Sequence, residues 1–197
     1  MNSLEASLSS FPHTWSVEVL KAPPLIAPAR QFTYPRLVAG EEDAMARGAL
    51  LLMVRPAQGG SFLATCALGF TNTTMPSGVS ACPNPDELCA VAGGYAYVID
   101  ASHPERSNHI PLKPVVQVLA IASHDLLLFV GFHTVYAWGR EGEAWKTERL
   151  SWEGIRITGV DGDTLHGTGW NMFTDQDVPF TVNLRNGTHR GGGVSNA

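Results

Sequence analysis

Three stretches of this 197-residue chain repeat one order of strand, turn and glycine at a spacing of about 38 residues, and that recurrence limits the fold more than any other feature. "ELCAVAG" at 87–93 falls on "DLLLFVG" at 125–131, matching Leu88 to Leu126 and Gly93 to Gly131. A second step of the same length sets "DGDTLHGTGW" at 161–170 over "SHDLLLFVGF" at 123–132, so that Asp163 meets Asp125, Leu165 meets Leu127 and Gly169 meets Gly131. Within the middle unit, "VVQVLAIA" turns at "SHD" into "LLLFVG", and "TVYAWG" turns at "REGE" into "AWKTERLSW". Apolar runs of four to eight residues between such turns read as strands, and Asp161-Gly162 and Asn186-Gly187 supply hairpin turns because glycine accepts positive φ. Each unit is therefore an antiparallel meander.

Composition agrees with an all-β class. The chain holds 20 Gly and 13 Pro, scattered, and 44% hydrophobic residues, enough for many short strands around a real core. We expect a single β-rich domain over 1–190: an irregular entry over 1–48, a hairpin and loop over 49–85, and repeated sheets over 86–190. Residues 191–197, "GGGVSNA", read as a flexible tail. In the entry, "WSVEVL" reads as a strand, "KAPPLIAPAR" as a Pro-rich connection and "EEDAMAR" as a helical turn. "ALLLMVRP" and "SFLATCAL" flank "AQGG" as a hairpin.

"LLLFVGFHTVYAWGREGEAWK" resembles the blade repeat of the quinoprotein-like β-propellers, in which an apolar strand, Gly, a "VYAL" strand, Asp, a short turn with Gly and a Trp follow one another. Val135, Tyr136, Ala137, Gly142 and Trp145 match, and "AVAGGYAYVIDASHPE" keeps Tyr97 and Asp100, whereas Gly139 stands in for that Asp in the middle unit. The resemblance covers about residues 75–190 and implies a small propeller-like stack of meander sheets with Trp145 packed between neighbours. A β-sandwich or open stack of the same sheets is the alternative. The resemblance does not carry over the quinone, whose ligands this chain lacks, so no cofactor is expected.

No short motif announces a reaction. His133 precedes "TVYAW" and sits 38 residues from Tyr95, which reads as a packing position. Asp175 and Asp177, two apart, would lie about 7 Å from one another on one strand face and supply paired carboxylates only if they opened into a cleft. His166 completes the acid–base candidates. Asp161-Gly162-Asp163 lacks the rest of a calcium loop. No His pair has a metal-ligand spacing, so no metal is expected. Cys66, Cys82 and Cys89 read as small core residues, since "PNPDEL" between the last two is too long for a zinc knuckle. Asn72-Thr73-Thr74 and Asn186-Gly187-Thr188 read as turns, and "GTGW" at 167–170 as close backbone packing rather than a phosphate loop.

Trp138, Trp152 and Trp170, with Tyr136 and Phe173, lie near strand ends and would form a binding platform if they emerged on one rim. With His133, His166, Asp175 and Asp177 they make the expected binding set. The expectation is thus a non-catalytic binding or interaction module for a protein, peptide or small molecule. A hydrolase or lyase with an acidic and histidine cleft, and a self-associating structural protein, are the alternatives. A net charge of -5 without a basic run argues against nucleic acid. The absence of an apolar run near 20 residues argues against a membrane span, and the N-terminus lacks a leader pattern, which reads as cytoplasmic.

Overall fold

The computed structural model describes residues 8–26, 28–35 and 44–194. It is all-β, with four sheets of four strands each, and the chain divides into two compact units, Met1–Val115 and Val116–Ala197.

The first unit holds two sheets. One is built from β1 (Trp15–Leu20), β2 (Arg30–Tyr34), β3 (Ala49–Pro56) and β4 (Phe62–Ala67), in the order β1-β3-β4-β2. The expected hairpin is β3–β4, with Val54 opposite Phe62. The stretch read as an irregular entry contributes both edges of this sheet, and β2 runs parallel to β4. Its strand character comes from a partner distant in sequence: Phe32 meets the Phe62 ring edge-on at 5.6 Å, and the Arg30 guanidinium lies 5.8 Å from each ring. Of "EEDAMAR", residues 41–43 lie outside the described residues, and Ala44–Arg47 form a 3-10 turn. The other sheet is a plain meander of β5 (Gly78–Ala81), β6 (Glu87–Ala92), β7 (Tyr95–Asp100) and β8 (Ser107–His109).

These two sheets are fastened through hydrogen bonds at their seam, two of them fully buried. Trp15 Nε1 donates to the Glu87 carbonyl (3.1 Å), Tyr34 Oη to that of Pro104 (2.6 Å) and Tyr97 Oη to that of Ala67 (2.9 Å). Ala64, Cys66, Cys89 and Ala90 have no solvent exposure, and side chains this small let β4 and β6 approach closely.

In the second unit, β9 (Gln117–Ile121), β10 (Leu126–Val130), β11 (Val135–Gly139) and β12 (Gly142–Lys146) form one meander. A second contains β13 (Ile155–Asp161), β14 (Thr164–Asn171), β15 (Gln176–Asn183) and β16 (His189–Gly191). Alternate residues of β10, Leu126, Leu128 and Val130, join Leu165, Phe180 and Val182 in one core. Trp145 belongs to that core, and its Nε1 donates to the Leu184 carbonyl at 2.7 Å. Gly167 and Gly169 face inward on β14. A Cβ there would stand 2.4 Å from the Phe180 ring and 2.3 Å from the Leu150 carbonyl oxygen respectively. The close packing read from "GTGW" is therefore a requirement of the sheet seam.

Two details depart from expectation. The hairpin between β6 and β7 closes with Gly93 and Gly94, both at positive φ, whereas β10 and β11 are joined by the four residues Gly131–Thr134. Tyr95 is thus the structural counterpart of Val135, and His133 occupies a loop that the second sheet lacks. The tail differs as well: Gly192 N donates to the Pro179 carbonyl and Gly193 N to that of Leu150, so residues 192 and 193 are tied to the core, and residues 195–197 lie outside the described set.

Candidate functional site

The expected acid–base residues do not converge. Asp175 adopts the left-handed conformation (φ 54°) in the turn before β15 and accepts the Trp170 Nε1 hydrogen at 3.0 Å. Asp177 lies on β15 opposite Trp170, so the two carboxylates do not form a facing pair. His166 stands on β14 opposite Thr181, and His133 Nδ1 lies 3.3 Å from the Ser151 carbonyl. Asp175 and His133 are thus each engaged with a separate local partner.

What does converge is one face and one turn of the fourth sheet. Alternation on β14 buries Leu165, Gly167 and Gly169 and turns His166, Thr168 and Trp170 outward. Cross-strand neighbours Arg156, Asp177 and Thr181 share that face. A shallow cavity of about 390 Å³ opens there, lined by Arg156, Thr168, Trp170 and Asp177 with Glu153 and Ile155.

Beyond Trp170, residues 172–175 carry two exposed apolar side chains, Met172 (48% exposed) and Phe173 (76%). Their backbone is preset: Asn171 Oδ1 accepts hydrogen bonds from the Phe173 and Thr174 amides at 2.9 and 3.2 Å, and Asp175 ties the turn back to Trp170. Phe173 meets Trp152 edge-on at 5.7 Å and 89°. On the same indole, the Arg149 guanidinium sits 4.6 Å from the ring centroid while it donates to the Ser151 and Trp152 carbonyls. Trp152 Nε1 is buried and has no hydrogen-bond partner among the described residues.

Of the aromatics expected on one rim, Trp152 and Phe173 are in ring contact and Trp170 is tied to the same turn through Asp175, whereas Trp138 and Tyr136 lie elsewhere. Trp138 is buried in the third sheet with its ring beside Gly142. The Tyr136 hydroxyl donates to Glu143 at 2.9 Å, and burial followed by that bond pushes its ionisation upward.

A second constellation was not legible as a motif. Turns at equivalent places in the third and fourth sheets meet: His124 Nε2 lies 2.8 Å from Asp163 Oδ1, and Asp163 receives Arg185 Nε at 2.7 Å and Nη2 at 3.2 Å. These bonds, Arg185 first and His124 second, hold the Asp163 carboxyl below the usual carboxylate range. On the other side of the imidazole, Ser123 Oγ lies 2.9 Å from His124 Nδ1. The group borders a cleft of about 750 Å³ with apolar walls from Leu126, Trp145, Val160 and Leu184. The signal was present in the repeat itself, which placed "SHD" over "DGD".

Cys66, Cys82 and Cys89 are free, fully buried thiols whose ionisation burial pushes up, which leaves them as inert core residues. Asn72 and Asn186 accept amide hydrogens two residues on, from Thr74 and Thr188, as turn formers do. Among the described residues no three His, Cys, Asp or Glu gather as a metal site, and no helix is long and apolar enough to cross a membrane.

Comparison with protein families, curated proteins and solved structures finds no match to this chain.

Proposed function

We propose that this protein is an interaction module, non-catalytic at its binding surface, which takes a protein or peptide on the turn 171–175 and the adjoining outer face of the fourth sheet. The supporting observation is Phe173, 76% exposed on a turn whose backbone is already held by Asn171 and Asp175. An exposed aromatic on a preset turn binds without the ordering cost that weakens flexible loops. Trp152 adds apolar surface already fixed in place: Phe173 meets its indole edge-on at 5.7 Å and the Arg149 guanidinium covers the ring at 4.6 Å. Arg156 and Asp177 beside Trp170 place both charges at the rim, where they set orientation more than affinity.

Peptides selected from a random library against the full chain test this reading. Phe173→Ala is expected to weaken the selected binders at least tenfold by calorimetry, and Arg55→Ala, on the first sheet, to leave them unchanged. Selected peptides that tolerate Phe173→Ala and protect other surfaces from hydrogen exchange would overturn it.

A further inference from the structure

The cleft beside Ser123 has a chemistry separate from the aromatic turn. Asp163 is a carboxylate held by Arg185, and a carboxylate only accepts hydrogen bonds. The 2.8 Å contact therefore requires the proton on His124 Nε2. In the neutral imidazole this leaves the Nδ1 lone pair free, and the one described group 2.9 Å from it is the Ser123 hydroxyl. Ser123 Oγ–H must then be the donor. A serine hydroxyl aimed at a histidine lone pair, with that histidine's other nitrogen fixed by a carboxylate, is the arrangement that raises a hydroxyl to a nucleophile. The roles of Nδ1 and Nε2 are exchanged relative to the familiar protease triad, which does not alter the proton inventory.

We infer that Ser123, His124 and Asp163 form an acyl-transfer site that hydrolyses small carboxylic esters through an acyl-Ser123 intermediate. Ser123 is exposed on a 3-10 turn, so an ester carbonyl can reach it. The apolar walls of Leu126, Val160 and Leu184 suit a short aliphatic acyl chain. Among the described residues, Arg185 is the one Arg or Lys lining the cleft and would face the negative charge that develops on the carbonyl oxygen.

In the first half-reaction Ser123 Oγ bonds to the carbonyl carbon while its proton passes to His124 Nδ1. Collapse of the tetrahedral species breaks the ester C–O bond, and the departing alkoxide takes the proton from Nδ1 and leaves as the alcohol. A water then loses a proton to Nδ1 and attacks the acyl carbon. Release of the carboxylic acid returns that proton to Ser123 Oγ. The net change is ester plus water to acid plus alcohol. Asp163 touches neither substrate nor transferring proton and is a positioning residue.

The three residues of this site are distinct from those of the aromatic turn, so the two readings stand or fall apart. The test is labelling of the full chain with an alkyl fluorophosphonate, mapped by mass spectrometry, together with hydrolysis of p-nitrophenyl butyrate. The label is expected on Ser123 and not on the exposed Ser61. Ser123→Ala, a surface change that leaves the fold intact, abolishes both readouts. His124→Gln slows labelling about 100-fold, within the range for a lost general base. Asp163→Asn lowers kcat at least tenfold with KM unchanged, and Asp163→Glu restores part of it. Labelling that favours Ser61, or that proceeds equally in His124→Gln while its circular dichroism matches the parent, would overturn the assignment.

Discussion

The two compact units fasten their sheet pairs with the same device and surround it differently. In the first, the Trp15 indole donates to the Glu87 carbonyl, and in the second the Trp145 indole donates to that of Leu184. Around Trp15 the seam is filled by Ala and Cys and closed by two tyrosine hydroxyls, and at its rim the neighbouring Thr14 hydroxyl donates to the Asp86 carboxylate at 2.6 Å. Around Trp145 the close approach comes from Gly167 and Gly169, and the rim carries the Asp163–Arg185 ion pair with the His124 imidazole on the same carboxylate. An indole is large enough to fill a sheet-to-sheet gap and carries one donor for a carbonyl left unpaired there. What varies is the polar group at the rim: one threonine hydroxyl on a carboxylate in the first unit, an imidazole and a guanidinium on one carboxylate in the second.

The strongest way to break this comparison is to remove each indole. Trp145→Ala should cost about 3–5 kcal/mol, from the cavity and the stranded Leu184 carbonyl together. Trp15→Ala, buried to a similar degree, should cost about as much. Urea unfolding of both variants checks this. A loss below about 1 kcal/mol in either would show that its seam closes without the indole.

A smaller effect is expected from glycine. Gly169→Ala forces a methyl to 2.3 Å from the Leu150 carbonyl oxygen and should destabilise by at least about 1–3 kcal/mol. Gly154 has φ +80°, but a Cβ added there would meet nothing within 4 Å, so Gly154→Ala isolates backbone strain, about 1 kcal/mol. Equal thermal shifts for the two would mean that strain, not crowding, governs the seam glycines.

The charged rim should contribute least, because exposed ion pairs are worth little and are screened by salt. Its sign is definite. The Asp163 carboxyl is held below its ordinary value, so its contribution is present above the unfolded carboxylate range and is lost as pH falls through the lowered folded value. Asp163→Asn should therefore melt slightly below the parent at neutral pH, and the gap should close on acidification and in salt of about 1 M. A gap that persists at low pH would assign the effect to packing.

Much of the fold was legible because hairpins are local. Asp161-Gly162 and the two Asn turns announce reversals through side chains or φ values that depend on near neighbours alone. The aromatic grouping was half legible: Trp152 and Phe173 are in ring contact and Trp170 adjoins their turn, whereas Trp138 is buried past a bulge after Ala137. The Ser123, His124 and Asp163 group was hidden because Asp163 lies 39 residues beyond His124 and meets it only when consecutive sheets stack.

The sequence by itself determined the all-β class, the burial of the three cysteines and the close backbone packing at Gly167 and Gly169, since these follow from short apolar runs between turns and from side-chain volume. The tertiary structure decided the order β1-β3-β4-β2, the pairing of β2 with a strand about 30 residues away, the displacement of His133 from the place of Tyr95, and which aspartate His124 meets. Those outcomes depend on contacts between distant segments and on loop length, and a two-residue difference between the β6–β7 and β10–β11 connections is enough to displace His133 from the place of Tyr95.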